Sequence, residues 1–275
     1  MPAALGRLKI GWEFFGSELK RRREAVGFTQ QQLGDRVYCS GSYIGQFEVA
    51  IRKPQGDLAE RIDAALETDG YLARMCEKLI ESSPYANYFA EAAYLEGLAL
   101  TIRQYASMFV PGLLQTAAYA RAVFVAAQPV APEEKIDELV AARLARGHLL
   151  DHPTEPLLWV VLDESVLRRE VGGPTVMREQ LTHIAQLVRR RRILVQVFPF
   201  EAGAPSVGGL LKLMTFRDAP PVAYEEGSAT GNLLDDPALV AQCELDYDLI
   251  RASALSPERS LALIESAAEE FEHEQ

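Results

Sequence analysis

From Thr29 to Glu48 the chain reads Thr-Gln-Gln-Gln-Leu-Gly-Asp-Arg-Val-Tyr-Cys-Ser-Gly-Ser-Tyr-Ile-Gly-Gln-Phe-Glu. Its polar side chains suit hydrogen bonding rather than covalent chemistry. Amide, hydroxyl and aromatic groups can contact base edges in a DNA groove. Ser40, Ser42, Tyr43 and Gln46 supply such groups, and Gly41 is small enough for close approach. Ser40 is a good helix cap, and Ile44 and Phe47, three apart, point the same way. The residues left outside, Gly41, Ser42, Tyr43 and Gln46, make a short polar face. An element before them must hold that face in place. Thr29 with Gln32 three residues on forms a Thr-x-x-Gln capping box, and Leu33 and Val37 share one side of the helix it starts. Two short helices joined by a tight turn, the second with a small polar outer face, suit the major groove of duplex DNA. The competing reading is an ordinary helical pair in a larger bundle. The full spacing from Arg23 through Pro54 favours the DNA-binding one.

The segment resembles the XRE (Cro/repressor-like) helix-turn-helix family at Leu19, Arg23, Gly27, Thr29-Gln30, Leu33, Val37, Ser40, Ile44 and Glu48, followed by Arg52-Lys53-Pro54. The resemblance implies an ion pair between Arg23 and Glu48, tying the preceding helix to the recognition helix. It also implies that Thr29 and Gln30 sit at the DNA backbone, that Ser40, Gly41, Ser42, Tyr43 and Gln46 face the bases, and that Arg52 and Lys53 reach the duplex. The chain departs from the family in three places. Tyr38 stands in the turn where Gly is usual. Gly34 replaces the usual Ala, at a cost of about 1 kcal/mol in helix propensity. Arg22 takes a position that is often apolar.

No enzyme constellation is found elsewhere. His148 and His152 are four apart, a ligand spacing on a helix, but His152 precedes Pro153, which disfavours helix there. No third ligand is close, so no metal is expected. Asp163-Glu164 ends an apolar run, where an α/β sheet places functional groups. The plainer expectation is that an acid there caps the next helix. Gly172-Gly173-Pro174 and Gly208-Gly209 match no phosphate-binding loop. Neither a catalytic site nor a cofactor is expected. Arg189-Arg190-Arg191-Arg192 ends a predicted helix, where cations oppose the negative dipole end. The alternative is a docking patch for an acidic partner protein.

The whole chain has 275 residues, 48% apolar and 24% charged, which suits two domains with proper cores. It has no run of 18 apolar residues for a membrane span and no basic-then-apolar leader. The three cysteines, Cys39, Cys76 and Cys243, give neither a disulfide framework nor a metal motif, which fits a reducing cytoplasm. Net charge is −11, but it is unevenly spread. Residues 1–60 hold nine Lys/Arg against seven Asp/Glu, and the remainder holds 19 against 32. A reader of +2 should bind weakly alone, so a homodimer is expected to supply a second half-site.

The expected organisation is an all-α helix-turn-helix domain over 1–82 and an α/β domain over 83–275, divided at Ser82-Ser83-Pro84. Residues 1–13 are expected to be a loose start. Helices are expected near 14–25, 57–67, 72–80, 85–96, 111–121, 132–150, 177–192, 237–254 and 257–272. Strands are expected at 157–162, 193–198, 209–216 and 221–226. The first two strands should be parallel through the helix between them, and the later ones antiparallel, giving a mixed sheet flanked by helices. The aromatic group Tyr85, Tyr88, Phe89 and Tyr94 is expected in a helix core or a domain interface.

The second half is similar to the C-terminal domain of actinobacterial WhiJ-type, antitoxin-like XRE regulators. The matching residues are Val110-Pro111-Gly112-Leu113-Leu114-Gln115-Thr116 with Tyr119-Ala120-Arg121, Arg143-x-x-Arg146, Glu164 with Leu167-Arg168-Arg169, and Gln196-Val197-x-Pro199. The resemblance implies a transcription factor, with a small acidic protein encoded nearby as a partner, and it supplies no catalytic residues. The expected function is therefore a dimeric, sequence-specific repressor acting on double-stranded DNA. An antitoxin-like protein that autoregulates and a small-molecule sensor are the alternatives.

Overall fold

A computed structural model describes residues 3–54, 56–81, 87–217, 219–227 and 231–273. The chain divides into two compact units, Met1–Leu98 and Ala99–Gln275. The boundary expected at 82–84 lies outside the described residues, and the division falls after the next helix.

The first unit is helical: α1 (Ala3–Val26), α2 (Gln30–Val37), α3 (Gly41–Glu48), α4 (Gly56–Leu66), α5 (Tyr71–Glu81) and α6 (Asn87–Glu96). The expected loose start is instead the beginning of α1. Trp12 and Phe15, four-to-three spaced with Leu19, are buried in the core with Leu33, Val37, Ile44, Phe47, Leu58, Ile62 and Leu72. Burying those rings fixes α1 beyond the region that its charged run suggests. Asp63 on α4 accepts from the backbone N–H of Leu72 (3.0 Å) and Ala73 (2.6 Å), capping α5 from a neighbouring helix. Of the expected aromatic cluster, Tyr94 is buried and Phe89 is half-buried. Tyr85 and the Tyr88 side chain lie outside the described residues.

The second unit is a six-stranded mixed sheet, order β3-β2-β1-β4-β5-β6. Its strands are β1 (Thr101–Ala106), β2 (Leu157–Asp163), β3 (Ile193–Phe198), β4 (Leu210–Thr215), β5 (Val222–Glu226) and β6 (Gly231–Leu234). β1–β2 and β2–β3 are parallel, and the other pairs are antiparallel. β1 and β6 were not among the expected strands, although β1 lies between β2 and β4. After β1 come a short 3-10 turn at Gly112–Leu114, then α7 (Ala117–Ala127) and α8 (Glu133–Gly147). Pro111 precedes the 3-10 turn, and Thr116 caps α7, so the expected single helix from Pro111 is broken. α9 (Glu164–Arg168) and α10 (Pro174–Arg189) link β2 to β3, and α11 (Pro237–Ser253) and α12 (Pro257–His273) close the chain. Val240, Cys243, Tyr247 and Ile250 of α11 pack on Tyr105, Val161, Phe198, Leu211 and Leu213 of one sheet face. Residues of the other parity, such as Leu158, Val160, Val195 and Val197, are buried as well, as expected for parallel strands covered on both faces.

Candidate nucleic-acid interface

The recognition element is built from its caps inward. Thr29 Oγ1 accepts from Gln32 N–H (3.1 Å), and Gln32 Oε1 accepts from Thr29 N–H (2.8 Å), so the capping box is closed. Ser40 Oγ accepts from Tyr43 N–H at the head of α3. Between the helices Tyr38 takes the left-handed conformation, φ 61°, with 87% of its surface exposed. Two glycines allow the helices to close on one another. A Cβ on Gly34 would lie 2.6 Å from the Cys39 carbonyl, and one on Gly41 would lie 2.8 Å from Gln31 Cα. Gly34 is therefore required by the turn, which offsets its cost in helix propensity.

Ile44, Phe47 and Glu48 are buried. Arg23 and Glu48 form a double-pronged pair, with Arg23 Nη2 3.0 Å from Glu48 Oε2 and the second bond running from Nε to Oε1. Arg23 Nη1 also donates to the Phe28 carbonyl (2.6 Å). Gln30 Nε2 donates to Glu48 Oε2 (2.8 Å). One carboxylate thus holds α1, the head of α2 and the end of α3. The Glu48 bond, with desolvation opposing it, raises the Arg23 guanidinium above its ordinary value.

What remains outside is narrower than the sequence suggests. Ser40, Ser42 and Val49 are exposed, and Gln46 is half-exposed. Ser42, Gln46 and Val49 are spaced i, i+4, i+7, which is one helix stripe. Val49, 64% exposed, was not among the expected contacts, although its spacing from Gln46 was visible. Gly41 is buried against α2 and presents nothing outward. Tyr43 is half-buried, edge-on to Phe47 at 5.1 Å.

Arg52 and Lys53, expected on DNA, turn inward. Arg52 is 4% exposed, its guanidinium 4.6 Å from the Tyr43 ring centre and its Nε 3.4 Å from Glu91 Oε1 on α6. The Lys53 ammonium sits over the rings of Tyr94 (4.2 Å) and Trp12 (5.2 Å). Burial pushes it down to about 8, against the opposing pull of Glu91. Cys76 donates from Sγ to the Pro54 carbonyl (3.2 Å), and burial pushes that thiol up to about 12. The segment after α3 is thus fastened to α5 and α6, because its cations find aromatic faces and a carboxylate within the same unit.

In the second unit the candidate groups are engaged in structure. Asp163 accepts from Ser165 N–H (2.9 Å), capping α9, and from the Tyr105 hydroxyl (3.1 Å). Glu164 accepts from Phe200 N–H (3.0 Å) and pairs with Arg168 (3.4 Å). His148 meets Asp151 (2.7 Å), and His152 accepts backbone N–H groups of its own turn. The described residues hold no group of three acids, histidines or cysteines placed for a metal. The arginine run does not form one patch. Arg192 points inward, donating to the carbonyls of Leu150 (2.6 Å) and Pro156 (3.0 Å). Arg189 pairs with Glu265 (2.7 Å), and Arg190 and Arg191 stay exposed at the helix end. The Pro-Gly-Leu-Leu-Gln-Thr run is likewise architectural. Gln115 links the Val110 carbonyl (2.7 Å) to Arg143 (2.6 Å), and buried Gln180 bridges Thr116 N–H (2.8 Å) and the Leu114 carbonyl (2.7 Å).

Fold and geometry define a helix-turn-helix protein with a mixed α/β second domain. A helix-turn-helix domain model matches residues 15–74, in keeping with a DNA-binding regulator. A second model, a domain of unknown function (DUF5753), matches residues 89–266, most of the chain, and the protein belongs to that family. No curated protein and no solved structure matches the chain. No helix among the described residues is long and apolar enough to cross a membrane.

Proposed function

We propose that this protein is a sequence-specific transcriptional regulator of the Cro/repressor-like kind, a homodimeric repressor controlled through its second domain. One observation carries the reading: α3 is locked by Arg23, Glu48 and Gln30 while its Ser42–Gln46–Val49 stripe is left outward. A rigid helix with an outward stripe of small polar and apolar groups is what base reading requires. Gln46 offers an amide for adenine and Val49 an apolar contact for a thymine methyl. The acids of the second domain cap helices and bridge backbone, which favours binding and control over catalysis. Such a protein works at the nucleoid, where its three free cysteines stay reduced.

Genome-wide footprinting with the purified protein should reveal discrete protected sites. On such a site Gln46→Ala should lose about 1–3 kcal/mol of affinity, the scale of one paired base contact, while binding to a random duplex is unchanged. Equal loss on both would remove Gln46 as a base reader, and the absence of protected sites would overturn the proposal.

A further inference from the structure

Helix α6 has two affiliations. It packs within the first compact unit, yet the family match for the second domain begins inside it, at residue 89. Four residues separate it from β1. Its inward groups meet the segment that leaves the recognition helix. Glu91 Oε1 accepts from Arg52 Nε (3.4 Å) and from the backbone N–H of Lys53 (3.3 Å). The Tyr94 ring lies 4.2 Å below the Lys53 ammonium. Arg52 in turn rests on the ring of Tyr43, a residue of α3.

We propose that α6 is a latch on the DNA reader: Glu91 and Tyr94 hold Arg52 and Lys53 against the helical core, and displacing α6 releases both cations for duplex phosphates. This rests on the reading of α3 as a DNA-binding helix. A carboxylate and a phosphate oxygen compete for the Arg52 guanidinium, and the nearby Glu91 charge also attracts the Lys53 ammonium. The first sixty residues hold only nine cationic side chains, so two are a large share of the charge available to the backbone. Closing the latch also buries an ammonium, which opposes closure, so the latch is opened at modest cost. Release of Arg52 would free the Tyr43 ring at the same time.

The test uses the full-length chain, with and without Glu91→Gln, which keeps the size of the side chain and removes its charge. Two readouts are taken. The first is the reactivity of the Lys53 amine toward an acylating reagent, followed by mass spectrometry. The second is affinity for a random duplex at several salt concentrations. Lys53 should be protected in the parent and modified several-fold faster in Glu91→Gln. The variant should bind duplex about tenfold tighter at low salt, with a log–log salt slope steeper by about 1.8, the value for two added phosphate contacts. Adding Arg52→Gln and Lys53→Gln should cancel that gain. Equal Lys53 reactivity in the two proteins would overturn the latch, as would unchanged affinity and slope. If Lys53 is released and neither protein binds any duplex, the DNA-binding reading itself fails.

Discussion

The Glu48 side chain is 2% exposed, and a carboxylate that enclosed is costly to hold charged unless its oxygens are satisfied. Arg23 and Gln30 satisfy them. Breaking a buried pair by removing one member costs about 3–5 kcal/mol, while replacing both members by apolar groups is often nearly neutral. Glu48→Ala should therefore destabilise the first unit by that amount in urea unfolding, and Arg23→Met with Glu48→Leu should recover most of it. A single-variant loss well under about 1 kcal/mol, the worth of an exposed pair, would show that the pair is not structural. Tyr38 tests the opposite sign. Its left-handed backbone costs an L residue about 1–2 kcal/mol, and its exposed ring loses little core contact when removed. Tyr38→Gly should raise the thermal midpoint by a few degrees, less the unfolded-state entropy that Gly adds.

At the scale of elements, legibility followed whether a residue's partner lies nearby in sequence. The capping box, the Ser40 cap and the four expected strands rest on local spacing, and each is present. β1 was not legible because Arg103 and Gln104 interrupt its short apolar pattern. Arg103 pairs with Glu244 (2.5 Å) and Gln104 is buried, so what makes the segment a strand lies far along the chain. The inward placement of Arg52 and Lys53 was not legible for the same reason: their partners on α6 lie almost forty residues away. The α6 contact also has a pH signature. Glu91, Cys76 and Tyr94 face Lys53, and burial lowers its value from 10.5 to about 8. Below pH 8 both folded and unfolded chains hold the proton, and the burial penalty is constant. From about pH 8 to 10.5 only the unfolded chain keeps the proton, so this group makes stability rise with pH. Lys53→Met should flatten that rise. Urea midpoints taken at intervals from pH 7 to 10 would show it, and an equal rise in parent and variant would assign the effect elsewhere.

For the whole molecule, charge distribution and oligomeric state belong to one argument. The reader carries little excess positive charge, the remainder is acidic, and two of the reader's cations face inward. Counterion release then gives a single reader little affinity, and a three-point contact stripe along an eight-residue helix and its C-cap reads too few bases for a specific site. Two readers joined by a two-fold axis double both terms, provided that the half-sites lie on the same side of the duplex. Binding to a natural operator should therefore be cooperative in protein concentration, with protected half-sites one helical turn apart, about 10–10.5 base pairs. Inserting about five base pairs, half a turn, between the half-sites should reduce affinity to that of one half-site, and inserting a full turn should restore part of it. Gel-shift titrations on the three duplexes decide the matter. Equal affinity on all three would mean that each chain binds independently, and the weakness of the single reader would then need another source of compensation.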